Sequence, residues 1–146
     1  WLITLATGVV AIKFVEEPVN LNLTEELKKH IGREVFLFSC NIVKYNQFGW
    51  RNNRTFVLTQ ESLMLLKNKC RDLRRKSAIS SIIGLTMSYH HESSEMIIHI
   101  GKESDIRILS PGHRKQIMDS LKMFYLTKTR QNLPIYAVRQ KSLAAY

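Results

Sequence analysis

Between Asn41 and Lys76 the chain sets nine basic side chains, Lys44, Arg51, Arg54, Lys67, Lys69, Arg71, Arg74, Arg75 and Lys76, against two acids, Glu61 and Asp72. Nine less two leaves +7 of the formal +10 of the whole chain in that one stretch. Guanidinium and ammonium groups gathered in this way suit charge-assisted hydrogen bonds to phosphate or carboxylate oxygens. Phe48 and Trp50 stand among them. Aromatic rings at a loop tip suit a membrane interface; the other reading is that they fold back on the sheet or bury against a protein partner.

Bond-making chemistry has no comparable signature. The chain has no glycine-rich phosphate loop and no nucleophile elbow. His90-His91-Glu92 places its histidines side by side, whereas two metal ligands on a helix must be four apart, so the triplet reads as a solvated hairpin loop. His99 alternates with Ile98 and Ile100 and reads as a cross-strand packing residue. Cys40 and Cys70, 30 positions apart, match no metal spacing and fit a reduced protein without a disulfide framework. The expectation is a binding protein without catalytic residues, metal or cofactor.

The elements that carry the cations follow from period and punctuation. Glu34 to Lys44 reads as a long strand, with Val35, Leu37 and Ser39 on one face and Phe36, Phe38 and Cys40 on the other. Strands at about 52–59, 62–68, 73–79, 82–89, 95–100 and 105–109 follow, and such short, regular spacing argues a sandwich or barrel. Lys44 before the first hairpin loop, Arg51 in it and Arg54 after it are expected to converge on that hairpin's mouth. Arg74, Arg75 and Lys76 form a second cluster on or beside the third hairpin, widening the patch or merely forming a solvated face.

Pro111-Gly112 closes the sheet, and Ile117, Met118, Leu121, Phe124 and Tyr125 then recur at helical spacing to about Lys128. That helix should plug the barrel end or cover an open corner, with Arg114, Lys115, Lys122 and Lys128 on its far face. Upstream, acids follow Thr24 and Gly32 stands at the end, so a short helix runs to about Ile31 with Leu23, Leu27 and Ile31 on one face. The run Trp1 to Ile12 is apolar but shorter than the ~20 residues of a spanning helix. It reads as a buried strand or helix, or as a truncated membrane or targeting segment. After Pro134, Ile135, Tyr136 and Val138 dock on a surface or pair as a strand.

Lys44-Tyr45, the run Asn53-Arg54-Thr55-Phe56-Val57-Leu58-Thr59, Leu63-Met64-Leu65-Leu66 and the basic Arg74-Arg75-Lys76 resemble the tail homology 1 domain of class I myosins. Ile82 to Ser88 and Met96 to Ile100 continue that resemblance in order, over roughly residues 34–136. It implies a pleckstrin-homology-like fold: mainly β with a capping helix (α+β), a seven-stranded sandwich or barrel plus a C-terminal helix and an N-terminal helical extension. The expected division is an extension over 1–33, the domain over 34–131 and a tail over 132–146. Pleckstrin-homology domains that bind phosphoinositides carry basic residues on either side of the first hairpin loop, which Lys44, Arg51 and Arg54 match. Asn52-Asn53 separates the two arginines and departs from that spacing.

The implied function is docking on anionic phospholipid, phosphoinositides included, through Lys44, Arg51, Arg54, Arg74, Arg75 and Lys76, with Phe48 and Trp50 as the inserting loop. It would serve a larger cytoskeletal or signalling protein in the cytoplasm, at the cytoskeleton or at the inner face of a membrane. The alternative is the same fold as a protein-interaction scaffold in a cytoskeletal or ciliary assembly, its partner an acidic protein surface. Nucleic acid ranks below both, because the aromatics alternate into the expected core instead of forming an exposed stacking face.

Overall fold

The computed structural model describes residues 2–4, 11–13, 19–109 and 112–146. Two short strands, β1 (Leu2–Thr4) and β2 (Ala11–Lys13), pair with each other as a hairpin separate from the main sheet. The side chains of Trp1 to Ile12, and so the expectation that this run is buried, lie outside the described residues.

Seven antiparallel strands form the body: β3 (Phe36–Tyr45), β4 (Arg51–Thr59), β5 (Ser62–Lys67), β6 (Asp72–Ala78), β7 (Ile82–Ser88), β8 (Glu95–Ile100) and β9 (Ile106–Leu109). The spatial order is β7-β8-β9-β3-β4-β5-β6, so the meander curls until β9 meets the far end of β3, at Val43 with Leu109 and Tyr45 with Arg107. Inward positions of both halves fill one core: Phe38, Cys40 and Ile42, Phe56 and Leu58, Leu63 and Leu65, Met96, Ile98 and Ile100, Ile106 and Ile108. The barrel stays open between β6 and β7, where a single 3-10 turn (Ile79–Ser81) joins strands that do not pair.

Helix α2 (Arg114–Thr129) packs on that turn, as the apolar spacing required. Ile117 and Leu121 are fully buried, and Met118, Phe124 and Tyr125 pack partly against the same core. The far face is less free than the sequence implied. Arg114 turns inward to donate to the Ser88 carbonyl at 2.7 Å and the Glu95 carbonyl at 3.2 Å, and Lys128 pairs with Glu61.

A smaller layer covers the outside of the sheet. Helix α1 (Glu25–Ile31) is capped by Thr24, whose hydroxyl accepts the Leu27 N–H, and ends at Gly32 with φ 62°. Its Leu27 and Ile31 pack on Val57, Met64 and Leu66, while Leu23 is left 40% exposed. A register shift between Phe36 and Phe38 separates these two rings, which strict alternation would place on one face. Phe36 joins the α1 layer and Phe38 the barrel core.

The segment after Pro134 adds an eighth strand. β10 (Ile135–Val138) pairs in parallel with β7, from Ile135 opposite Leu85 to Val138 opposite Ser88. Gly84 makes room for it, since a Cβ there would stand 3.1 Å from the Tyr136 ring and 3.4 Å from the Pro134 carbonyl. Beyond β10, Leu143 is fully buried and donates its N–H to Glu95 at 2.8 Å, so the last residues fold back on the sheet.

Candidate functional site at the barrel mouth

The cations separate according to the pleat. Opposite residues of an antiparallel pair share a face, and alternate residues along a strand do too. Lys44 lies opposite Asn52 and Ile42 opposite Arg54, so Lys44 and Arg54 continue the inward rows of Ile42 and Phe56. They are the inward residues where the core gives out, at the end of the barrel that carries the β3–β4 loop. Arg51 is opposite Tyr45 and three positions from Arg54, an odd offset that turns it outward. The expected convergence of Lys44, Arg51 and Arg54 therefore holds for two of the three. Arg51 stands 5.7 Å from the Tyr45 ring centroid, and Arg107 covers the same ring at 3.9 Å.

The second cluster divides likewise. Arg75 opposes Leu65, which places it inward. Leu66 then pairs with Leu73, so Arg74 is the extra residue of a bulge and is released from strict alternation. Lys76 opposes Met64 on the outer face and forms a 2.7 Å ion pair with Glu34, away from the mouth. Adjacent residues of a strand point to opposite faces, so Arg75 and Lys76 do not act as one patch.

Lys44, Arg54, Arg74 and Arg75 thus gather from three strands. Burial depresses the Lys44 pKa below its ordinary 10.5, and the charges of Arg75, Arg54 and Arg74 push it in the same direction. Arg54 is lowered by burial and then by Arg74. Among the described residues no carboxylate lies within ion-pair range of Lys44, Arg54 or Arg74; Arg54 donates only to the neighbouring Asn53 carbonyl, at 2.8 Å. A cluster that lowers its own proton affinity is one that an incoming anion would relieve.

Beside it the β3–β4 loop is tightly turned. Asn46 Oδ1 accepts the N–H groups of both Phe48 and Trp50 at 2.9 Å, and Gly49 supplies φ 80°. The two rings, 6.3 Å apart, are 72% and 71% exposed; neither folds back on the sheet. A cleft of about 420 Å³ opens between this loop and the β8–β9 loop, lined among others by Lys44, Asn46, Phe48, Ser104 and Asp105.

The acidic side of the mouth was not legible in the sequence. Arg75 donates to Glu103 at 3.1 Å and to the Ser104 hydroxyl at 3.2 Å, and also to the Ser104 carbonyl. His99, expected to pack, instead links Thr86 (2.7 Å) to Asp105 (2.7 Å), and Asp105 also accepts the Ile100 N–H. Thr86 is 4% exposed, so this relay fastens the β8–β9 loop and presents no reachable nucleophile. Glu103 and Ser104 reach Arg75 from 28 and 29 positions away, with no local pattern to announce them, whereas Asp105 meets His99 within one hairpin. His90, His91 and Glu92 lie on the β7–β8 loop as expected, and Cys40 and Cys70 are free thiols. Among the described residues no group of three or more His, Cys, Asp or Glu side chains could hold a metal ion, and no helix is long and apolar enough to cross a membrane.

Solved structures place this architecture among pleckstrin-homology folds. The PH domain of Slm1, in a complex with inositol 4-phosphate, is similar at 16% identity and a TM-score of 0.53, over 62% of this chain and 97% of that one. The PH domain of human oxysterol-binding protein-related protein 11 is similar at 14% identity and 0.53, over 63% and 82%. The hSac2 domain of the human phosphoinositide phosphatase Sac2 reaches 0.57 at 11% identity, over 80% and 87%. By sequence, residues 8–140 match the family described as the unconventional myosin tail, actin- and lipid-binding, and the chain belongs to that tail homology 1 family. No curated protein matches it by sequence.

Proposed function

We propose that this domain docks a larger cytoskeletal or signalling protein on anionic phospholipid, phosphoinositides included, and that it does so by binding alone. Lys44, Arg54 and Arg74 take the phosphorylated headgroup, while Phe48 and Trp50 enter the interface beside it. The observation that carries this reading is the clustering of inward cations, without carboxylate partners at Lys44, Arg54 and Arg74 among the described residues, beside a hydrogen-bonded turn that carries two exposed rings. The family description, actin- and lipid-binding, supports it. Arg51 and Lys76 are assigned no headgroup contact: one faces Tyr45 and the other Glu34.

Co-sedimentation with phosphatidylcholine vesicles, with and without phosphatidylserine or a phosphoinositide, tests it. Binding should require the anionic lipid. Lys44→Ala with Arg54→Ala should weaken it about thirtyfold, from about 1 kcal/mol per cation near an anionic leaflet. Should Arg51→Ala cost as much as Arg54→Ala, the charge of the loop tip and not the mouth would carry binding. Actin filaments form a second arm, because the family description names actin beside lipid.

A further inference from the structure

Arg75 stands among the mouth cations, yet its guanidinium is already taken. Its Nη2 donates to Glu103 Oε2 at 3.1 Å, its Nη1 to the Ser104 hydroxyl at 3.2 Å, and the side chain is only 14% exposed. Glu103 Oε2 also accepts from the Ser77 hydroxyl at 2.9 Å, and Ser77 is the next inward residue of β6. The loop that delivers Glu103 is held in turn by Asp105 through His99 and the Ile100 N–H. The carboxylate is therefore presented to Arg75 by a fastened loop, while Lys44, Arg54 and Arg74 beside it carry no such partner among the described residues. Counting only the groups in direct contact with these cations, four cations less one carboxylate leave a resting charge of +3.

We propose that Glu103 is a built-in competitor for the anion the mouth takes, one that must leave Arg75 before all four cations converge on the ligand. The inference rests on the reading of the mouth as an anion site and adds to it the group that sets its affinity. Both anions use the same acceptor geometry, since carboxylate and phosphate oxygens alike accept two guanidinium N–H bonds. Lys44 and Arg54 sit on paired strands and stay in place; Glu103, 45% exposed on its loop, swings outward, and Arg75 exchanges its Ser104 hydroxyl and carbonyl contacts for the oxygens of the ligand.

Glu103→Gln removes the charge and keeps a side chain able to bond Ser77. It should bind phosphatidylserine vesicles about fivefold more tightly than the unaltered protein, the effect of about 1 kcal/mol for one freed cation. Glu61→Gln is the matched control. It also strips a carboxylate from an ion pair, with Lys128, but at the opposite end of β4 from the mouth, and should bind as the unaltered protein does. Equal tightening by both variants would reduce the effect to net charge and overturn the proposal. So would an unchanged affinity of Glu103→Gln where the separate Lys44→Ala with Arg54→Ala variant loses its expected factor of about thirty, and there the mouth reading would survive alone. If the unaltered protein ignores anionic vesicles, both fall. A readout independent of the variant's folding is the Arg75 Nε–H resonance of the unaltered protein under titration with inorganic pyrophosphate. It should shift together with Arg54; a shift at Arg54 with Arg75 stationary would overturn the competitor role.

Discussion

At the scale of single residues, the mouth trades stability for charge. The Lys44 pKa is lowered, first by burial and then by its arginine neighbours, so the folded state holds this proton less well than the unfolded chain does. The cost is fully present at neutral pH and fades as pH rises toward 10.5, where the unfolded lysine also loses its charge. Lys44→Met should accordingly raise the thermal midpoint at pH 7 while weakening anionic-vesicle binding. A variant that loses both would mark Lys44 as a structural cation. Phe48→Ser with Trp50→Ser removes two rings that touch little else, so the melt should stay put while vesicle affinity falls. The Trp50 emission should shift to the blue on vesicle binding in a Trp1→Phe background. Cys40 behaves in the opposite way: burial pushes its thiol up to about 12, so only the half-buried Cys70 should react promptly with a thiol reagent under native conditions.

At the scale of elements, two local conflicts between residue type and backbone are informative. The β5–β6 hairpin turns through Asn68, Lys69 and Cys70 with φ of 56°, 55° and 67°, three consecutive non-glycine residues in the left-handed region. Asn68 helps by bonding Asp72, but among the described residues Lys69 has no such compensation. Lys69→Gly should stabilise the fold by about 0.5–1 kcal/mol, the relief of crowding less the entropy glycine adds to the unfolded chain. Denaturant melts would measure it, and a loss instead would mean the Lys69 side chain supports the turn. Gly84 poses the converse case. Gly84→Ala drives a Cβ toward the Tyr136 ring and the Pro134 carbonyl, and should cost about 1–3 kcal/mol while raising hydrogen exchange along β10 before the rest of the sheet. Equal exchange throughout would show that β10 is not a separable edge.

Over the whole molecule, Glu34 ties the outer layer to the sheet. Burial acts to raise its pKa, but hydrogen bonds from Lys76, Ser62 and Thr59 and the Lys76 charge together hold it below the ordinary 4.5. A carboxylate with a depressed folded pKa contributes stability that is fully present above its unfolded value and lost as pH falls through the folded one. Urea melts of the unaltered protein and of Glu34→Gln should therefore differ at pH 6 and draw together as pH falls from 4.5 through the lowered folded pKa. A gap that persists in acid would assign the effect to packing. Salt acts elsewhere: the exposed pairs contribute little to the fold, so raising ionic strength should weaken vesicle binding far more than it lowers the melt.

The strands of this protein are legible in its sequence because period-two runs bounded by Asn, Gly and Ser need nothing distant to define them. β3 through β9 fall within about two residues of the expected positions, and α2 with its Ile117 and Leu121 stripe follows from spacing alone. The basic stretch, its aromatic pair and the family resemblance are equally local. What only the tertiary structure decided is which cations share a space. A β-strand turns alternate residues to opposite faces, so one odd offset removes Arg51 from Lys44 and Arg54, and one bulge frees Arg74 while Lys76 stays outside. Glu103 and Asp105 reach the mouth only because the sheet curls until the β8–β9 loop lies against β6, a contact across 28 positions that no local pattern encodes.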